Sequence, residues 1–68
     1  MMQVIVNNEP RQAEDRSTVA RLLEQLDRKK SKGLAVAVNG KVVAARDWPE
    51  HALSEGDEVL LIQSTQGG

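Results

Sequence analysis

The sequence predicts an α+β fold, ββαββ in order, with a mixed sheet packed on one main helix. Three observations predict it. Val19, Leu22, Leu23 and Leu26 fall at i, i+3, i+4 and i+7, the clearest apolar stripe at helical spacing in the chain. Short runs rich in β-branched residues lie on both sides of that stripe, with apolar residues alternating at period two. Asn39-Gly40, the pair best suited to a two-residue type I′ turn, joins two of those runs as a hairpin.

The elements follow in order. Met2, Val4 and Val6 share one parity of a first strand, with Gln3, Ile5 and Asn7 on the other, so one face turns inward. Asn7-Asn8-Glu9-Pro10 supplies turn residues, and the chain is expected to reverse there into a short second strand around 11–13. Ser17 or Thr18 can cap a helix over 18–30. Glu24 precedes Arg28 by four positions, Arg28, Lys29 and Lys30 complement the dipole at the C-terminal end, and Gly33 is available as the left-handed stop. Leu34-Ala35-Val36-Ala37-Val38 puts large residues on one parity and alanines on the other, and the hairpin returns through 41–44. An irregular or 3₁₀ passage from Arg46 to Leu53, a turn at Ser54-Glu55-Gly56-Asp57 and a last strand over 58–63 complete the order. That order is the one of a β-grasp fold. The expected division is a domain over 1–63 and a flexible tail over 64–68, since Ser64-Thr65-Gln66-Gly67-Gly68 offers no apolar anchor.

Composition excludes several function classes. Sixty-eight residues allow one small domain, which buries only about 60% of the surface its unfolded chain exposes and leaves little room for an internal active site. Nine Lys plus Arg against ten Asp plus Glu give a net charge of -1, so no global field draws the chain to nucleic acid or to an anionic membrane. With no cysteine there is no disulfide framework, thiolate zinc site or thiol nucleophile. The longest apolar run, Leu34 to Val38, is far short of the roughly 20 residues of a membrane helix, and Met1-Met2-Gln3 opens no signal peptide. The expected location is the cytoplasm.

Few residues invite a catalytic reading. His51 is the single histidine, and Ser54 three positions on lies in a turn-rich stretch without triad geometry; a half-buried or exposed structural histidine is expected. Glu24 and Asp27 share a helix face, which a solvated surface explains. The run Arg28-Lys29-Lys30-Ser31-Lys32 has no interleaved aromatic residue to stack bases. Trp48, the only aromatic residue, is expected at the edge of the core with its indole N–H on a carbonyl. No catalytic residue, metal ligand or cofactor of the chain's own follows from these.

Two features remain. If Val59 and Leu61 turn inward with Met2, Val4, Val6, Leu34, Val36 and Val38, then Leu60 and Ile62 point out beside Ile5 and one of Val42 or Val43. One helix covers one face of a sheet, so this outer patch is either a partner surface or lies under loops. The second feature is Gly67-Gly68, a pairing expected by chance in roughly 0.5% of chains at ordinary glycine usage. A tail without Cβ atoms can enter a narrow cleft in another protein. Acyl chemistry on Gly68 needs an enzyme to bind ATP, because the chain has no phosphate loop. The chain is then a substrate or carrier, not an enzyme.

The full length resembles the ThiS family of bacterial sulfur carriers of thiamine biosynthesis, ubiquitin-like β-grasp proteins. The resemblance is carried by Thr18-Val19, Leu22-Leu23-Glu24-Gln25-Leu26, Ala37-Val38-Asn39, Val42-Val43, Arg46-Asp47-Trp48, Leu53-Ser54-Glu55-Gly56-Asp57-Glu58-Val59 and the final Gly-Gly. It implies that Gly68 is adenylated by a ThiF-like enzyme, which uses the ATP, and becomes a thiocarboxylate with sulfur relayed from a cysteine desulfurase. The product is then presented to the thiazole synthase ThiG. Gly67 and Gln66 would be its tail neighbours; Leu60, Ile62 and Ile5 are docking candidates by strand parity. Two alternatives stay open: a ubiquitin-like modifier conjugated through Gly68, and a carrier for another pathway such as molybdopterin synthesis. A purely structural interaction module is a third.

Overall fold

Alternation of small and large residues along each strand decides which side of the sheet the helix covers. In the computed structural model, which describes residues 1–26 and 33–63, the strands are β1 (Met2–Val6), β2 (Glu9–Ala13), β3 (Leu34–Val38), β4 (Lys41–Val43) and β5 (Glu58–Gln63). They form one mixed sheet in the order β2-β1-β5-β3-β4. The last strand therefore enters the middle of the sheet, parallel to β1 and antiparallel to β3. Met2, Val4, Val6, Leu34, Val36, Val38, Val43, Val59 and Leu61 are buried on the inner face. Against them lies α1 (Val19–Gln25), which buries Val19, Leu22 and Leu23, with Leu26 partly buried beside them.

The hairpin between β1 and β2 is tighter than the sequence suggests. Asn7 and Asn8 alone make the turn, with φ of 50° and 69°, both positive as type I′ requires. Glu9 and Pro10, expected in the turn, belong to β2, which begins two residues earlier than 11–13. Proline is tolerated there for a reason of register. Val6 faces Glu9 across the two-residue turn and Ile5 faces Pro10, so Pro10 falls at a pair that exchanges no ladder bonds. Its missing N–H would point to the open edge, where it also discourages pairing with another chain.

Thr18 is the N-cap of α1: its Oγ1 accepts from the Arg21 N–H at 3.2 Å. Ser17, the other cap candidate, is buried and donates to the Glu14 carbonyl at 2.6 Å. The start of the helix is tied to the far side of the chain by Val19 N–H on the His51 carbonyl and Leu53 N–H on the Ser17 carbonyl. The expected extension of the helix to residue 30, with the Glu24–Arg28 pair and the basic run, lies outside the described residues, as does the link to Gly33, whose φ is 75°. On the solvent side, Arg21 donates to Glu14 at 3.1 Å and Glu24 at 3.0 Å. Hydrogen bonding from Arg21, and then its guanidinium charge, hold the Glu14 carboxyl below its ordinary range. A depressed carboxylate pKa adds stability above the ordinary value and loses it as pH falls through the lowered one; here exposure and salt make the effect small.

Between β4 and β5 a 3₁₀ segment (Ala45–Glu50) folds Trp48 into the core, and its Nε1–H donates to the Val43 carbonyl at 2.9 Å. The second hairpin turns at Asn39 and Gly40, with φ of 52° and 84°. Asn39 also holds the start of β5: its Oδ1 accepts from the Glu58 N–H and its Nδ2 donates to Asp57 Oδ1, both at 3.0 Å. Asp57 Oδ2 accepts from the Ser54 N–H at 2.8 Å, which closes the 54–57 turn. Asn39→Ala is expected to cost about 2 kcal/mol, since alanine tolerates positive φ less well than asparagine and its methyl leaves two polar partners unmatched. A fall in the urea midpoint at unchanged m measures it.

Candidate functional site

Among the described residues no helix covers the outer face of the sheet, and its side chains follow from strand parity. Leu60 and Ile62 are 47% and 55% exposed, and Val42 is 81% exposed. Register explains why they stand clear. Ala37 is opposite both Leu60 on one side and Val42 on the other, and Ala35 is opposite Ile62, so methyl groups flank the larger side chains. Of the two valines expected near this face, Val42 is on it and Val43 is in the core. Ile5 is half-buried and, with Ala37 and Glu58, walls a shallow depression of about 260 Å³ beside Leu60.

The structure thus brings Leu60 and Ile5 to one depression, with Ile62 two residues farther along β5. Gln66, Gly67 and Gly68 lie outside the described residues. β5 ends at Gln63, and five residues follow it. The apolar face and the root of that segment therefore share one strand.

The remaining candidates have structural partners. His51 is half-buried, with its backbone N–H on the Trp48 carbonyl and its carbonyl taken by Val19. Glu24 is paired with Arg21, and Asp27 is outside the described residues. Among the described residues no group of three His, Cys, Asp or Glu side chains is placed to hold a metal. No described helix is long and apolar enough to cross a membrane. One residue escaped the sequence reading. Asn7, at the end of the first strand and in its turn, places its side-chain Oδ1 2.8 Å from the Leu61 N–H of β5. An asparagine at the end of a strand was the available signal, because such side chains tolerate positive φ and bond to nearby backbone.

Comparison with known proteins gives a consistent result. A curated relative, "Sulfur carrier protein ThiS" of Escherichia coli K12, is 39% identical over 67 residues, covering 98% of this chain and 100% of that one. A crystal structure of the thiamine biosynthesis protein ThiS from Geobacter metallireducens superposes with a TM-score of 0.84 at 25% identity, over 98% of this chain and 100% of that one. An NMR structure of a thiamine biosynthesis protein from the same organism gives 0.79, also at 25% identity, over 98% and 88%. The fold is thus the β-grasp that the element order predicted. The ThiS family model matches residues 4–68, from the first strand through Gly68, and the chain belongs to the ThiS family.

Proposed function

We propose that the chain is a sulfur carrier of thiamine biosynthesis that is acted on by enzymes and catalyses nothing itself. The full-length likeness to the Escherichia coli sulfur carrier is the observation that carries this reading. The chemistry centres on the carboxylate of Gly68. A carboxylate does not exchange oxygen for sulfur unaided, because its leaving group would be oxide. In the proposed sequence one carboxylate oxygen attacks the α-phosphorus of ATP on a ThiF-like enzyme and pyrophosphate leaves. A persulfide relayed from a cysteine desulfurase then attacks the acyl carbon and AMP leaves with the C–O electron pair. A thiol reduces the resulting S–S bond and frees the thiocarboxylate, which ThiG accepts as the sulfur source for the thiazole.

The domain over 1–63 acts as the handle and residues 64–68 as the delivered segment. Fully extended, five residues reach about 17 Å beyond the sheet, enough to enter a cleft while the domain rests outside it. Leu60 and Ile62, with Ile5 beside them, form the docking face toward the adenylating enzyme. Leu60→Asp or Ile62→Asp is expected to raise the carrier KM in ATP–pyrophosphate exchange at least about fivefold. Stability should change by no more than about 0.5 kcal/mol, since both side chains already face solvent. An unchanged KM would show that this face does not dock; a variant that unfolds would show that the parity assignment of Leu60 and Ile62 is wrong.

A further inference from the structure

Among the described strand residues, one formal charge lies on the outer face of the sheet. Glu9, Arg11 and Lys41 are opposite Val6, Val4 and Val38, and so belong to the parity of the helix side. The outward positions are apolar or uncharged amides, except for Glu58 at the start of β5. β5 is the middle strand, so this charge lies within the face and not at its edge. Glu58 is exposed, and its carboxylate has no hydrogen bond or ion pair with a described residue. Its backbone is held firmly. The N–H donates to Asn39 Oδ1 at 3.0 Å, and the carbonyl accepts from the Asn39 N–H at 2.7 Å. The side chain therefore rises from a fixed point opposite Ile5, two residues or about 7 Å along the strand from Leu60, on the wall of the 260 Å³ depression.

A charge in that position constrains whatever covers the face. A partner that covers Leu60 and Ile5 also covers Glu58 beside them, and a carboxylate taken out of water without a counter-charge opposes binding. A purely apolar partner surface is thus disfavoured by the same side chain that leaves the rest of the patch available. We propose that the enzyme docking on this face presents a basic side chain, arginine or lysine, which enters the depression beside Leu60 and pairs with Glu58. This rests on the reading of the face as the docking surface for the adenylating enzyme. The depression suits such an occupant: Ile5, Ala37 and Leu60 offer apolar walls to an alkyl stem, and Glu58 receives the charged head. The apolar side chains supply contact area, and the pair supplies selectivity and faster encounter.

Binding of the purified chain to a ThiF-like enzyme without ATP reads docking apart from any chemistry at Gly68. At about 0.05 M salt, Glu58→Gln should raise Kd about fivefold and Glu58→Lys at least about twentyfold, since the second adds repulsion to the lost attraction. Both differences should narrow at about 0.3 M salt, where screening is stronger. Glu24→Gln, which removes the same charge from the solvent side of α1, should stay within about twofold of the wild type. None of the three should shift the melt by more than a degree or two, because all are exposed. Wild-type affinity in Glu58→Gln and Glu58→Lys, with Leu60→Asp still weakened, overturns the basic partner group alone. So does a Glu58→Gln chain that associates with itself at unchanged affinity for the enzyme, which would make the charge a guard against pairing of copies. If Leu60→Asp binds as the wild type does, the face does not dock, and the docking reading falls together with this proposal.

Discussion

Removal of Gly68, or Gly68→Ala, is expected to abolish sulfur loading and leave the thermal melt unchanged. Both halves of that expectation have a physical basis. Deletion withdraws the terminal carboxylate by about 3.5 Å, a displacement large against the tolerance of a reacting pair of atoms. Alanine keeps the reach but adds a Cβ, which the proposed entry of the tail into a narrow cleft would not admit. The melt is insensitive because the core that resists unfolding lies within residues 1–61: its outermost members are Met2 and Leu61. Intact mass after loading, paired with a calorimetric or circular-dichroism melt, checks both. Loading of the truncated chain would remove Gly68 from the mechanism.

Leu22→Ala is expected to do the reverse. Leu22 is 1% exposed and sits between Val19 and Leu23 on the face of α1 that covers the sheet. Truncation costs its transfer energy plus that of the cavity left behind, about 3 kcal/mol. A domain of this size has only about 3–5 kcal/mol in total, so much of its stability goes with one side chain. At roughly 4–8 °C per kcal/mol, the melting temperature should drop by about 12–24 °C. The folded fraction should still be loaded, because nothing in the tail has changed. A cost below about 1 kcal/mol would mean that α1 is not the cover of this core.

Legibility followed the range of the interactions. The helical stripe, the inward parity of Val59 and Leu61, the exposure of Leu60 and Ile62 and the indole bond of Trp48 depend on periodicity or near neighbours, and they could be read from the residues. The insertion of β5 between β1 and β3 could not, because pairing with β1 more than fifty positions away and with β3 more than twenty away leaves no local mark. Pro10 shows the same limit at shorter range. A proline near two asparagines reads as turn, and only the register with Ile5 shows that its absent N–H belongs to the edge. Asn7 was visible as a turn residue, while its bond to Leu61 required the fold to bring positions 7 and 61 together. The exposed apolar face of Leu60 and Ile62 was legible as a pattern of alternating residues.

The most direct test of the central claim is the intact mass of the purified chain after incubation with a ThiF-like adenylating enzyme, ATP and a sulfur source. The account predicts a gain equal to one oxygen replaced by sulfur, absent without ATP and absent when Gly68 is deleted. An unchanged mass under conditions where the enzyme turns over ATP with the chain, or a covalent adduct to a protein lysine in its place, would contradict it.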